Sequence, residues 1–115
     1  MPLLTLTTNL SLSPEQKSTL PVRLSAEAAR LLGKPESYVM VIMQDGQAMT
    51  MGGSSEPTAY LQLKSLGLPE DDTSVLSEAL CDLINGSLDI PADRIYIEFF
   101  NPPRHLWGWN RSTFG

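Results

Sequence analysis

Between residues 3 and 8 apolar and polar positions alternate, with Leu4 and Leu6 on one face and Leu3, Thr5 and Thr7 on the other. A period of two over this length predicts a strand. Ser13-Pro14-Glu15-Gln16 announces a helix: Ser13 can cap, Pro14 suits the first helical position, and Gln16 completes a capping box. Leu20, Leu24, Ala28 and Leu31 follow at helical spacing, Gly33 is a stop, and Pro35 prevents continuation. Pro21 falls inside this helix, so a kink is expected there, or a regular part that begins there. Residues 38–43, Tyr-Val-Met-Val-Ile-Met, predict a second strand, apolar on both faces and therefore buried on both. Asp45-Gly46 is a turn signal. Residues 58–66 predict a third strand with Leu61 and Leu63 on one face. Pro69-Glu70-Asp71-Asp72-Thr73 opens a second helix with an acidic first turn that suits the helix dipole, and Leu76, Leu80, Leu83, Ile84 and Leu88 form its apolar stripe. Residues 95–100 predict a fourth strand, with Ile95, Ile97 and Phe99 facing one way and Tyr96, Glu98 and Phe100 the other.

The two halves repeat. Leu4 and Leu6 match Leu61 and Leu63 at an offset of 57, and Pro35 before the second strand matches Pro91 before the fourth at an offset of 56. Each half is strand–helix–strand, and a right-handed crossover makes its two strands parallel. Two such units give an α/β (α+β) domain: a four-stranded mixed sheet with both helices on one face. The other face has no helix left to cover it, and neighbouring subunits are the economical cover. Both strands of a parallel unit start at one end of the sheet, so the crossover brings the N-terminus and Lys34 to the same edge.

The 115 residues fit one domain, 1–115. Net charge is −5, with 8 Lys+Arg spread along the chain, so no basic stripe exists for nucleic acid and attraction to an anionic membrane is disfavoured. No apolar run reaches the ~20 residues of a membrane span. Met1-Pro2-Leu3 carries no signal-peptide pattern, which makes the cytoplasm the expected compartment. One cysteine, Cys81, excludes an intrachain disulfide, and neither it nor the single His105 offers a metal site. Gly52-Gly53-Ser54-Ser55 lacks the lysine of a phosphate loop and precedes a strand, so it reads as a turn. Met40, Met43, Met49 and Met51 read as core or subunit packing. The three Asn-x-Ser matches, at Asn9, Asn85 and Asn110, read as chance without a secretory signal.

Several short pieces occur together: Pro2 directly after Met1, Gly33-Lys34-Pro35, Gly52-Gly53-Ser54-Ser55-Glu56-Pro57, Ser65-Leu66-Gly67, Asp93-Arg94-Ile95-Tyr96-Ile97, Gly108-Trp109-Asn110 and Ser112-Thr113-Phe114. In this combination, nearly end to end, the chain resembles the macrophage migration inhibitory factor family of the tautomerase superfamily. The resemblance implies a homotrimer with sites between subunits and no cofactor. It implies that Pro2, freed by removal of Met1, is the catalytic base of a phenylpyruvate tautomerase-like isomerase. Lys34 and the backbone at Leu66 would hold the substrate, a phenylpyruvate-like 2-keto acid. Tyr96 from the neighbouring subunit, Trp109 and Phe114 would form an aromatic pocket. The same family name also covers a cytokine-like trimeric ligand that binds a receptor, with vestigial catalysis and non-classical secretion. Its Cys-x-x-Cys redox motif is absent, since Thr58 and Leu61 stand at the matching positions.

The chemistry is coherent. A tautomerase moves a proton from carbon α to a carbonyl, and a base works best with a pKa near the working pH. Apolar burial and the Lys34 cation would both disfavour a protonated proline amine. Two residues depart from the family pattern. Glu98 replaces a common asparagine, and Trp107 replaces a smaller apolar residue and would reshape the pocket mouth. With Glu98 about 8 Å from an anionic substrate, repulsion would cost roughly 2 kcal/mol at an effective dielectric near 20, about thirtyfold in rate.

Overall fold

The computed structural model describes residues 1–115. The chain runs β1 (Pro2–Thr8), α1 (Pro14–Leu32), β2 (Met40–Gln44), β3 (Ala59–Ser65), α2 (Thr73–Leu88), β4 (Ile95–Phe100), then a two-residue pair, β5 (Gly108–Trp109) and β6 (Ser112–Thr113). The main sheet has the order β2-β1-β3-β4. β1 runs parallel to β2, β3 parallel to β4, and β1 antiparallel to β3.

The repeat read from the sequence is a near two-fold relation in space. Leu4 pairs with Leu63 and Leu6 with Leu61 across the central β1–β3 ladder. Pro35 and Pro91 each introduce one 3-10 turn, Glu36–Tyr38 and Ala92–Arg94, which delivers the chain into β2 and β4. Both helices pack on the face of the sheet that carries these leucines. Leu20, Leu24 and Ala28 of α1, and Leu76, Leu80 and Ile84 of α2, join Leu4, Leu6, Leu61 and Leu63 in one buried cluster.

Local signals act as expected at α1. Ser13 and Gln16 form the reciprocal capping box, and Gly33 ends the helix at φ +62 with its N–H on the Ala29 carbonyl. The helix is already regular from Pro14, so its regular part does not begin at Pro21. Pro21 leaves the Lys17 carbonyl without its helical donor, and Lys17 is exposed, so water can replace that bond.

Three expectations need correction. The second strand starts at Met40 rather than Tyr38, because the turn after Pro35 consumes Glu36–Tyr38. It is an edge strand, and only Val41 and Met43 pack against the core; Met40 and Ile42 are 61% and 39% exposed. An apolar run therefore does not mean burial on both faces within this chain, which has only two helices to spend on one face. The acidic segment Glu70–Asp72 forms its own 3-10 turn ahead of α2, so the carboxylates precede the first α-helical turn.

Gly52 and Gly53, at φ +61 and +77, turn the chain between Met51 and Ser54, whose backbones exchange hydrogen bonds. Arg94 pins this loop: its guanidinium donates to the carbonyls of Met51, Ser54, Glu56 and Pro57 at 2.9–3.2 Å. No helix is long and apolar enough to cross a membrane.

Candidate active site

At the N-terminal end of β1 two adjoining cavities open. The larger, about 340 Å³, is mostly apolar and runs from Pro2 and Tyr38 to Trp107, Trp109 and Phe114. The smaller, about 150 Å³, is bounded by Met1, Lys34, Pro35, Tyr38, Leu66, Arg104 and Phe114. Met1, Tyr38 and Phe114 border both, so the two read as compartments of one site.

Each wall has a local cause. Pro2 begins β1 on the same strand face as Leu4 and Leu6, opposite Ser65, and is fully buried. Lys34 follows the Gly33 stop of α1, and its ammonium nitrogen lies over Gly67, where a Cβ would come within 3.7 Å of it. Leu66 follows β3 and is buried. The C-terminal segment supplies the rest. Asn110 and Arg111, both at positive φ, turn β5 into β6. The Phe114 N–H returns to the Trp107 carbonyl at 3.2 Å, while Arg104 Nε donates to the Phe114 carbonyl at 3.0 Å. Trp109 stacks on Phe114 with ring centroids 5.7 Å apart and meets Tyr38 edge-on at 5.5 Å.

The electrostatics favour a neutral amine at the chain terminus. The terminal amine on Met1 is held below its ordinary range, first by burial and then by the charges of Lys34 and Arg104. No acidic side chain lines either cavity. Neither cation forms a salt bridge.

Of the residues expected from the sequence, Pro2, Lys34, Leu66, Trp107, Trp109 and Phe114 come together here. Tyr96, which the resemblance draws from the neighbouring subunit, and Glu98 do not. They lie on the helix-free sheet face of β4, at the opposite edge of the sheet from β2, and Tyr96 is 64% exposed. Strand alternation placed them on one face correctly, but that face does not open into this chain's own cavities. Glu98 instead accepts a hydrogen bond from the Tyr60 hydroxyl of the neighbouring strand, which pushes the Tyr60 pKa up.

Tyr38 and Arg104 were missed. Tyr38 was hidden by its assignment to β2. Arg104 lies in an irregular Pro-Pro-Arg-His segment with no periodicity to read; its one signal was a cation close in sequence to the expected aromatic wall. Cys81 is half-buried on α2, away from both cavities, and burial pushes its thiol pKa up, which disfavours the reactive thiolate. His105 is exposed.

Comparison with known proteins agrees with this architecture. The family pattern of macrophage migration inhibitory factor matches residues 1–115. A macrophage migration inhibitory factor homolog of Brugia malayi is 40% identical over 117 residues, covering 100% of both chains. The macrophage migration inhibitory factor of Xenopus laevis is 33% identical over 99% of both. Among solved structures, the homologue from Prochlorococcus marinus superposes with a TM-score of 0.91 at 46% identity, covering 98% of this chain and 99% of that one. The factor from Trichinella spiralis gives 0.91 at 35% identity, covering 97% and 99%. The chain, matched along its whole length in sequence and in fold, belongs to the macrophage migration inhibitory factor family.

Proposed function

We propose that the protein is a cofactor-independent keto–enol tautomerase acting on phenylpyruvate-like 2-keto acids, with the Pro2 amine as general base once Met1 is removed. The observation that carries this reading is the position of Pro2: a fully buried residue on the wall of an apolar aromatic cavity, next to Met1, which also borders the adjoining cavity with its two cations. The environment that lowers the Met1 amine would act on a Pro2 amine in the same place and favour its neutral form at neutral pH.

The substrate carboxylate binds in the smaller cavity at Lys34, beside Leu66, and the aryl group enters between Tyr38, Trp107 and Trp109. The Pro2 nitrogen takes a proton from C3. The C–H pair becomes the C2=C3 double bond and the carbonyl π pair moves to oxygen. The prolinium proton then passes to that oxygen, giving the enol, and the reverse sequence restores the ketone.

The site is completed in a homotrimer. The helix-free sheet face exposes Met40, Ile42 and Tyr96, large apolar groups that a neighbouring copy would cover, and a neighbour could carry its own Tyr96 and Glu98 to the cavity.

The test compares chains that begin at Pro2 with chains bearing one extra N-terminal residue, in which the proline nitrogen is an amide. Tautomerisation of phenylpyruvate should occur only with the first. Equal rates in both would remove Pro2 as the base.

A further inference from the structure

The smaller cavity holds one more cation than a single carboxylate needs. Lys34 and Arg104 both border it, no acidic side chain does, and neither cation has a salt-bridge partner anywhere in the chain. In a protein of net charge −5, two uncompensated cations around a cavity of about 150 Å³ mark it as an anion site. Arg104 is also held in place. Its Nε is committed to the Phe114 carbonyl at 3.0 Å, and Phe114 is fixed in turn by its N–H on Trp107. This tether leaves the terminal nitrogens of the guanidinium free and ties their position to the aromatic wall. Both cations are near enough to the amine of Met1, the residue before Pro2, to hold it below its ordinary range.

We infer that Lys34 and Arg104 form a two-cation subsite for a small planar dianion, with Lys34 taking a carboxylate and Arg104 the adjacent oxygen that becomes anionic when a 2-keto acid is deprotonated. The inference rests on the proposed tautomerase reading for its chemical meaning. A 2-keto acid enters with one negative charge. Loss of the C3 proton to the Pro2 nitrogen leaves a second charge on the C2 oxygen, next to the carboxylate. A cation already fixed there binds the transition state more tightly than the ground state, which is the condition for raising kcat rather than lowering KM. Arg104 would thereby act on the enolate oxygen and Lys34 on the carboxylate.

Oxalate and oxamate separate these roles. They have nearly the same planar shape, but at pH 7 oxalate carries two charges and oxamate one. Binding of each is measured by titration calorimetry to the full chain beginning at Pro2, to Arg104→Gln and to Lys34→Gln. Wild type should prefer oxalate about tenfold, the scale of one charge-assisted contact that is partly screened. Arg104→Gln should lose that preference while binding oxamate within about twofold of wild type. Lys34→Gln should weaken both anions. Arg104→Lys, which keeps the charge without the tether to Phe114, should keep only part of the preference and serves if the glutamine variant fails to fold. Equal weakening of both anions in Arg104→Gln, no weakening of either, or no preference in wild type would overturn the inference. Because the probes bind without reacting, oxalate preference in a protein with no tautomerase activity would count against the proposed reaction and not against the subsite. Where activity is present, Arg104→Gln should lower kcat for phenylpyruvate about tenfold with KM little changed.

Discussion

Arg94 replaced by methionine should lower the melting temperature by roughly 8–16 °C. Its guanidinium holds the carbonyls of Met51, Ser54, Glu56 and Pro57, and its own carbonyl accepts the Thr58 hydroxyl at 2.8 Å. Methionine keeps most of the stem and removes the donors. The Glu56 carbonyl belongs to an exposed residue and can turn to water, whereas Met51, Ser54 and Pro57 are half-buried. Hydrogen bonds to a charged group contribute about 1.5–3 kcal/mol each but are not additive within one fork, so a loss of about 2–4 kcal/mol is expected. An unfolding entropy near 2.1 cal/mol/K per residue makes 1 kcal/mol worth about 4 °C in a chain of this size. The assay is thermal unfolding followed by circular dichroism at one fixed protein concentration, because assembly would itself shift the midpoint. Arg94→Lys should recover less than half of the loss, since an ammonium cannot reproduce the planar fork. Amide exchange at Met51 and Ser54 should accelerate in both variants. A drop below about 3 °C in Arg94→Met, or unchanged exchange in that turn, would mean that the loop is held by its glycines alone.

Light scattering at micromolar concentration should give three times the 12.6 kDa chain mass, and a stable monomer would remove any contribution of Tyr96 and Glu98 to the cavity. In the trimer, Glu98→Asn should speed tautomerisation of a keto acid more than that of its neutral ester, with the difference shrinking in high salt; equal effects on both would exclude charge repulsion. Asp45 accepts the Leu12 amide at 2.9 Å and pairs with Lys17 at 3.6 Å, and these contacts, the amide bond first, hold its carboxyl below the usual range. A folded pKa below the unfolded value of about 3.9 stabilises the protein above that pH, and the contribution is lost as pH falls through the folded value. Asp45→Asn should therefore melt below wild type at pH 7 and converge with it under acid conditions; a constant difference down to about pH 2 would refute the linkage.

The parts of the fold that followed a period were legible. Alternation over Leu3 to Thr8 and over Ile95 to Phe100 gave β1 and β4 nearly to the residue, and the Ser13 and Gly33 signals bounded α1. Pattern could not say which strand would be left at an edge, where neither helix covers Met40 and Ile42 within the chain. It also could not separate facing a given side of the sheet from lying near a given end of it. Tyr96 and Glu98 lie apart from Trp109 and Phe114 in one chain; the resemblance, not the pattern, grouped them, and it drew Tyr96 from the neighbouring subunit. Trp107, Trp109 and Phe114 were found through motif resemblance. Arg104, placed by one backbone hydrogen bond in an aperiodic segment, had no such marker.

The duplication gives the molecule two equivalent ends, and only one is open. The spacing that relates Leu4 to Leu61 carries Pro2 onto Ala59, and the spacing that relates Pro35 to Pro91 carries Lys34 onto Ile90. Ala59 is 2% exposed and Ile90 0%. Where one repeat sets Pro2 and Lys34 along cavities, its twin has a methyl group and an aliphatic side chain that border none. The plugged end also carries Thr58 and the loop strapped down by Arg94. The fold thus contains its own control: one copy of the unit opens onto cavities, the other is closed by packing. Opening the sealed end should cost stability without creating a second centre, because no chain terminus lies behind Ala59 and the cation of that end, Arg94, is already committed to the loop carbonyls.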